Sequence, residues 1–106
     1  MVAKFAGARS FCAMKADGEI RNNLAASRYE CTVDGHLSVA DYELADGVMT
    51  ITHTVVPPEL RGRGIAEKLV RAALAEARAS QRKVVPACSY VAVFIQRHAE
   101  FQDLVA

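Results

Sequence analysis

The chain lacks most of the features that mark specialised classes of protein. Its 106 residues include no tryptophan, and the formal net charge at pH 7 is only +1. A charge so near zero argues against a dedicated nucleic-acid binder, which would carry a strongly basic face. Val91 to Ile95 is among the longest apolar runs, far short of the roughly 20 residues that span a bilayer. We therefore expect neither a nucleic-acid nor a membrane partner.

Cysteine is also scarce. Cys12, Cys31 and Cys88 lie far apart and are odd in number, which fits reduced thiols in a reducing compartment better than a disulfide framework. No spacing of cysteine and histidine resembles a zinc site. The sequence therefore predicts a cytoplasmic protein that holds no metal.

Residues 1–18 are predicted to be a weakly ordered N-terminal extension, followed by one domain over residues 19–106. Lys4, Arg9 and Lys15 are basic, and no acidic residue precedes Asp17. Such a composition can begin an organelle transit peptide. The sparse charge spacing favours the alternative, a non-native or upstream-start extension with Met14 as a possible true start.

The middle of the chain predicts an antiparallel meander of three strands. Residues 19–26 read as a connector, and the alternation over residues 28–33 predicts a half-buried strand. Asp34-Gly35 and Asp46-Gly47 are hairpin signals that delimit further strands at 36–44 and 48–56. The apolar phase slips within the second of these strands, which predicts a bulge near Ala40-Asp41. Pro57-Pro58 ends the third strand because proline cannot donate to a ladder.

The second half of the chain predicts a strand–helix–strand unit and a last helix. An apolar stripe at helical spacing predicts a helix from 63 or 64 to 79. Residues 83–87 form a short strand, parallel to 48–56 through a right-handed crossover. Ser89 is positioned to cap a helix over 89–98, and residues 103–106 read as a tail. The fold class is therefore α/β or α+β.

The stretch between strand 48–56 and the long helix carries the clearest functional signal. In Arg61-Gly62-Arg63-Gly64, the glycines allow a ligand to approach the backbone, and the arginines add forked donors for phosphate oxygens. A helix N-terminus supplies unpaired N–H groups and partial positive charge. The alternative is a glycine-rich helix start that only turns the chain, but the interleaved arginines favour an anion site. The spacing matches neither a Walker loop nor a dinucleotide fingerprint.

Arg61-x-x-Gly64-x-Ala66 matches the acyl-coenzyme A motif of the GNAT N-acetyltransferase superfamily. The surrounding residues resemble its compact YjdJ-like single-domain branch over about residues 20–106. The matching segments are Ala26-Ser-Arg-Tyr-Glu30, residues 52–66, Lys83-Val-Val-Pro-Ala-Cys-Ser-Tyr90, and Arg97-His98 with Phe101-Gln-Asp-Leu104.

The resemblance implies a GNAT-like fold that is truncated at the C-terminus, acetyl-coenzyme A as the cofactor and an amine as the acceptor. It also implies that the backbone near Thr54, Val55 and Val56 pairs with the pantetheine arm. The pyrophosphate would be held by the loop and helix start, namely Arg61, Gly62, Arg63, Gly64, Ile65 and Ala66. The expected assembly is a monomer or a weak homo-oligomer.

Cys88 and His53 are the candidate catalytic residues. Cys88 follows the second parallel strand at the start of the last helix, where the positive helix end lowers a thiol pKa. It could protonate the leaving thiolate or accept the acetyl group; the alternative is a small buried hydrophobic residue. Histidine is suited to take a proton from an amine. His53 alternates in phase with the apolar residues of its strand, however, so a histidine buried in the core is an equally good interpretation. A bulge at Thr52–Thr54 would direct it to the other face.

Other candidates have weaker signals. Cys31 lies on the apolar parity of the first strand and is expected in the core. His98 could touch the cofactor or cap a carbonyl, and His36 is expected at the surface. Many GNAT enzymes use a tyrosine in the last helix as general acid, and the corresponding residue here is Phe94. Tyr90 lies one turn earlier and is a doubtful substitute.

Three functions therefore remain open: an N-acetyltransferase, a non-catalytic acyl-coenzyme A binding or sensing module, and an unrelated anion-binding adaptor. Phe94 and the absence of further C-terminal strands favour the second, and Cys88 with His53 favours the first. The short C-terminus predicts an open acceptor groove, or one completed by a partner chain. An open groove suits the amine of a protein or peptide.

Overall fold

A computed structural model describes residues 18–106 as one twisted sheet with its helices on one face. The five strands lie in chain order, β1 to β5. The strands are β1 Ile20–Asn23, β2 Arg28–Val33, β3 His36–Ala45, β4 Val48–Val55 and β5 Lys83–Pro86; the helices are α1 Ile65–Ala79 and α2 Ser89–Arg97, with 3₁₀ turns at Pro58–Leu60 and Ala99–Leu104. The predicted α/β class is confirmed. The predicted extension at residues 1–18 lies, except for Gly18, outside the described residues.

The antiparallel part of the sheet has four strands, one more than the sequence predicts. Both predicted hairpins are present, and their turn residues Asp34, Gly35, Asp46 and Gly47 all have positive φ, as a type I′ turn requires. The additional strand is β1, which pairs antiparallel with β2. A four-residue edge strand with one apolar residue has no alternation to recognise, so its partner β2 decides its conformation.

A β-bulge interrupts the pairing of β3 with β4. Asp41 pairs with His53, but the next residue, Tyr42, pairs with Ile51. Thr52 is therefore the extra residue, and its hydroxyl approaches the carbonyl oxygen of Asp41 at 3.4 Å. The predicted bulge was at the right level of the sheet but on the wrong strand. The side-chain phase of β4 reverses beyond Thr52 as a result.

The two helices bury one face of the sheet. The stripe predicted for α1 is buried at Ile65, Leu69, Val70, Ala73, Leu74 and Ala77. Helix α2 contributes Val91, Phe94 and Ile95. The core side chains of the sheet include Tyr29, Cys31, Ala40, Tyr42, Met49, Ile51 and Val84.

The opposite face of the sheet is exposed in the described part of the chain. Its apolar residues Leu37, Val55 and Val85 are all more than a third exposed. In β3 the buried positions are Ser38, Ala40 and Tyr42 rather than the apolar leucines. The leucines of this strand therefore do not mark its buried face, whose inward residues are a serine, an alanine and a tyrosine.

Two predicted chain ends also differ. Cys88, and not Ser89, is the N-cap residue of α2, and no side chain caps this helix. The predicted tail is instead attached to the fold. Arg78 binds Asp103 at 2.9 Å, and the backbone N–H of Ala106 donates to the carbonyl of Val84 at 2.9 Å. Within residues 18–106, neither helix combines the length and the apolar character needed to cross a membrane.

The packing of α1 on the sheet leads to a stability prediction. Leu74 is fully buried, whereas Leu24 is 72% exposed. Leu74→Ala should lower the free energy of unfolding by about 2–5 kcal/mol, since transfer and cavity terms add. Leu24→Ala should change it by no more than about 0.5 kcal/mol. Urea unfolding followed by circular dichroism measures both, and equal losses would contradict the proposed core.

Candidate functional site

The loop between β4 and α1 folds around two left-handed glycines. Gly62 and Gly64 have φ values of +85° and +75°, a conformation that costs other residues about 1–2 kcal/mol. Leu60, which is 1% exposed, anchors the start of the loop in the core. The alternation of extended Arg61 with left-handed glycines turns the chain sharply into α1.

The N-terminus of α1 is open to a ligand. The first hydrogen bond within the helix joins the N–H of Lys68 to the carbonyl of Gly64, so the preceding N–H groups have no helical partner. The N-cap residue Gly64 makes no side-chain capping bond. Serine or aspartate usually covers these donors, whereas the N-cap residue of this helix has no side chain to cover them.

The two arginines of the loop point in different directions. Arg61 lines the cleft at the helix start. Arg63 instead donates to the carboxylate of Asp34, in the β2–β3 turn, at 2.9 Å. The loop therefore brings the Arg61 side chain to the cleft, and Arg63 ties the loop to the neighbouring hairpin.

The cleft at the helix start has a volume of about 250 Å³. Its walls are Val56, Leu60, Arg61, Gly62, Gly64, Ile65, Ala66, Glu67 and Tyr90. A second cleft of about 190 Å³ shares Glu67 and Tyr90 and continues along α2 to Phe94, Arg97 and His98. Together they reach the range of small-molecule sites, roughly 300–1,000 Å³. The predicted pyrophosphate residues are thus brought together, with the exception of Arg63.

Tyr90 and Glu67 are the lining residues that sequence reasoning missed or ranked low. Burial, followed by the nearby charge of Glu67, raises the pKa of the Tyr90 hydroxyl. Glu67 itself accepts a hydrogen bond from Arg71 at 2.8 Å, an i,i+4 pair on α1. Glu67 on α1 and Tyr90 on α2 line both clefts. Their place in the site depends on how the two helices pack, which the sequence pattern does not show.

Strands β4 and β5 separate beside the clefts. Their pairing ends at Ile51 and Pro86, and the N–H of Cys88 makes one more bond to the carbonyl of Ile51 at 2.9 Å. Beyond this point β4 continues to Val55 with no strand on its β5 side among residues 18–106. Outward-pointing backbone groups of an unpaired strand edge can pair with an extended ligand.

Cys88 lies where the two strands part. Its thiol is 3.6 Å from the hydroxyl of Thr54 across the gap. Burial alone would raise the pKa of this thiol, but hydrogen bonding from the backbone of Val91, the Thr54 hydroxyl and the backbone of Tyr90 lowers it on balance. The expected effect of the α2 N-terminus is therefore present, and Thr54 adds a contact that the sequence did not indicate.

His53 is on the other face of the sheet. The bulge at Thr52 takes it out of the apolar phase of Met49 and Ile51 and leaves it exposed. The reading of His53 as a core histidine is therefore wrong. Its neighbour Thr54 points to the helix-covered face, so consecutive residues present an imidazole and a hydroxyl on opposite sides of the same gap.

The remaining candidates make contacts within the fold, and His98 also lines the second cleft. The ring of His98 stacks on Phe94 at 4.0 Å, and its Nδ1 donates to the Phe94 carbonyl at 2.7 Å. Cys31 is in the core, as expected. His36 approaches Glu59 at 4.0 Å. No set of three His, Cys, Asp or Glu within residues 18–106 is arranged to hold a metal ion.

Fold and site together define a class of protein. The α/β sheet has a parted strand pair, an uncapped helix start and an arginine-bearing glycine loop. The profile of the GCN5-related N-acetyl-transferase family matches residues 28–104. The chain belongs to this family and is a GNAT-type acetyltransferase. Its assignment to the YjdJ-like branch stays a prediction.

A solved structure agrees with this assignment. The NMR solution structure of a GCN5-like protein from Staphylococcus aureus is similar to this chain, with a TM-score of 0.69 and 25% sequence identity. The match covers 87% of this chain and 91% of that one. The architecture described above is therefore that of a known compact GNAT fold.

The contact between Thr54 and Cys88 leads to a reactivity prediction. Thr54→Val removes a hydroxyl that stabilises the thiolate, so the pKa of Cys88 should rise and its alkylation by iodoacetamide should need a higher pH. The pH midpoint of the alkylation rate is read on the Cys88 peptide by mass spectrometry. Thr50→Val, the same change outside this contact, is the control. An unchanged midpoint in Thr54→Val would remove Thr54 from the environment of the thiol.

Proposed function

We propose that this acyltransferase uses acetyl-coenzyme A and transfers the acetyl group to an amine, with a protein or peptide as the source of that amine. The observation that carries the proposal is the uncapped start of α1 beside Arg61, which continues into the gap between β4 and β5. The helix start suits the pyrophosphate of coenzyme A, and the unpaired edge of β4 suits its extended pantetheine arm.

In this proposal the cofactor is held by the chain as follows. The N–H groups at Ile65 and Ala66, together with Gly62, Gly64 and Arg61, bind the pyrophosphate. Arg63 supports the loop through Asp34. The outward backbone groups near Thr54, Val55 and Val56 pair with the amides of the pantetheine arm, which directs the thioester toward the gap beside Cys88.

Acetyl transfer needs a neutral amine and a stabilised leaving thiolate. The amine nitrogen attacks the thioester carbonyl carbon, the C–S bond breaks, and the coenzyme thiolate accepts a proton. His53 takes the proton that the amine loses, and Cys88 supplies or relays the proton to the departing sulfur. In the covalent form of this scheme, the Cys88 thiolate, stabilised by Thr54, attacks the thioester carbonyl and releases coenzyme A. The amine then attacks the acetyl group on Cys88 and releases the thiolate.

A second candidate is a non-catalytic acyl-coenzyme A binding or sensing module. It is favoured by Phe94, which is 5% exposed and offers no proton where many GNAT enzymes have a tyrosine. Binding of coenzyme A without release of its thiol would support this candidate. The proposed cellular location is the cytoplasm, on the basis of the reduced cysteines that the sequence predicts.

Coenzyme A binding is tested by thermal unfolding. A ligand at 100 times its Kd should stabilise the fold by about 2.7 kcal/mol and raise Tm measurably. Arg61→Glu should abolish most of this shift, because it reverses the charge at the pyrophosphate. Arg21→Glu, an equivalent reversal on the distant edge strand β1, should retain it. The absence of any shift at millimolar coenzyme A in the unaltered protein would refute the proposal.

Turnover is tested by thiol release from acetyl-coenzyme A in the presence of peptides and polyamines. Removing a group that moves a proton should lower kcat by roughly 10²- to 10⁴-fold in Cys88→Ala and in His53→Asn. His36→Asn, a histidine outside the gap, is the matched control. If Cys88→Ala and the unaltered protein have equal rates, Cys88 takes no part in the mechanism.

A further inference from the structure

The tip of the β2–β3 hairpin contacts the loop before α1. Residues 61–64 are called the cofactor loop below. The guanidinium of Arg63 donates to the carboxylate of Asp34 at 2.9 Å, across 29 residues of chain. A second contact brings His36 to 4.0 Å from Glu59, just before the loop. The hairpin therefore holds a segment that is distant from it in sequence.

Few other contacts hold the second half of the cofactor loop. Within residues 18–106, the N–H of Arg61 makes the last backbone hydrogen bond before the helix, to the preceding 3₁₀ turn at 3.3 Å, and the next one joins Lys68 to Gly64. Apart from chain neighbours, no described heavy atom lies within 4 Å of where a Cβ would stand at Gly62 or Gly64. Neither backbone bonding nor packing at these glycines fixes the segment.

The two glycines make a restraint at Arg63 important. Gly62 and Gly64 flank Arg63 with φ values of +85° and +75°. Both glycines line the cleft, whereas Arg63 takes no part in its wall. Glycine populates positive and negative φ about equally readily, so its own backbone preference does not fix the direction of the adjoining N–H groups. Holding the side chain between the two glycines restrains the peptide units on both sides.

We propose that Asp34 is a positioning residue for the cofactor loop. By holding Arg63, it keeps Gly62 and Gly64 in the conformation that receives the pyrophosphate of coenzyme A. This inference rests on the proposed function and adds to it a residue outside the loop. Arg63 is then the link between the hairpin and the loop, and not a ligand of the phosphate.

The exposure of this ion pair decides where its loss should be measured. The side chains of Arg63 and Asp34 are 50% and 61% exposed, and exposed pairs contribute little to the free energy of unfolding. A loop that must be ordered in each binding event lowers the affinity directly. The effect should therefore appear in coenzyme A affinity and not in global stability.

The test compares Asp34→Asn with Asp46→Asn by isothermal titration calorimetry with coenzyme A. Each aspartate begins an Asp-Gly turn, with φ values of +52° and +53°, which asparagine tolerates. Asp34→Asn should weaken coenzyme A roughly two- to fivefold, the affinity equivalent of an exposed ion pair. Asp46→Asn should leave the affinity unchanged. The two variants should unfold at the same urea concentration, whereas a merely structural role of Asp34 would separate them.

A double-mutant cycle tests the link through Arg63. Arg63→Gln should weaken coenzyme A by the same factor as Asp34→Asn, and the double variant should be no weaker than either single variant. If Arg63 bound the phosphate instead, Asp34→Asn would free it and tighten coenzyme A, and Arg63→Gln would cost more than Asp34→Asn. Either result, or equal affinity in Asp34→Asn and the unaltered protein, would overturn the proposal.

Steady-state kinetics supply a second readout. Asp34→Asn should raise KM for acetyl-coenzyme A at unchanged kcat, because the loop does not touch the reacting atoms. A fall in kcat without a change in KM would contradict a role in cofactor positioning.

Failure of this inference is distinguishable from failure of the proposed function. The NMR amide signals of Gly62 and Gly64 in the isotopically labelled, ligand-free chain should shift in Asp34→Asn and stay in place in Asp46→Asn. A protein that binds no coenzyme A would lose the proposed function, and these signals would still decide whether the hairpin holds the loop. Unchanged signals in Asp34→Asn would refute the inference whatever coenzyme A does.

Discussion

One extra residue in β4 sets the geometry on which the rest of the site depends. Thr52 is unpaired in the β3–β4 ladder, so the side chains beyond it exchange faces. The bulge lies at the level where β4 parts from β5, and it increases the local twist of the strand. Without it, Thr54 would not point toward Cys88 and His53 would lie in the core.

The cleft at the start of α1 depends on the absence of a side-chain cap at Gly64. A side-chain cap on Gly64 would occupy the donors that a phosphate needs, and a Cβ at that φ would strain the turn. The loop compensates through contacts elsewhere: Leu60 is buried, and Arg63 is bound to Asp34. Leu60 and Arg63 therefore hold the loop in place, and the N–H groups at the start of α1 have no side-chain cap.

The sheet separates two kinds of chemistry on its two faces. The helix side contains the phosphate donors, the clefts and the thiol with its lowered pKa. The exposed side contains a carboxylate and an imidazole above an apolar row. Among the described residues, the gap between β4 and β5 is where the two faces come together, with Thr54 directed to one side and His53 to the other.

Much of this could be predicted from the sequence, because it depends on local patterns. The two hairpins follow from Asp-Gly pairs, α1 from a helical stripe, and the sharp loop before α1 from its glycines. Tertiary structure alone decided the rest. Strand β1 forms because β2 pairs with it. The bulge lies in β4, where Thr52 is the extra residue of the β3–β4 ladder. Arg63 points away from the cleft because it binds Asp34. The direction of His53 and the contact between Thr54 and Cys88 depend on residues distant in sequence, whose proximity no local pattern records.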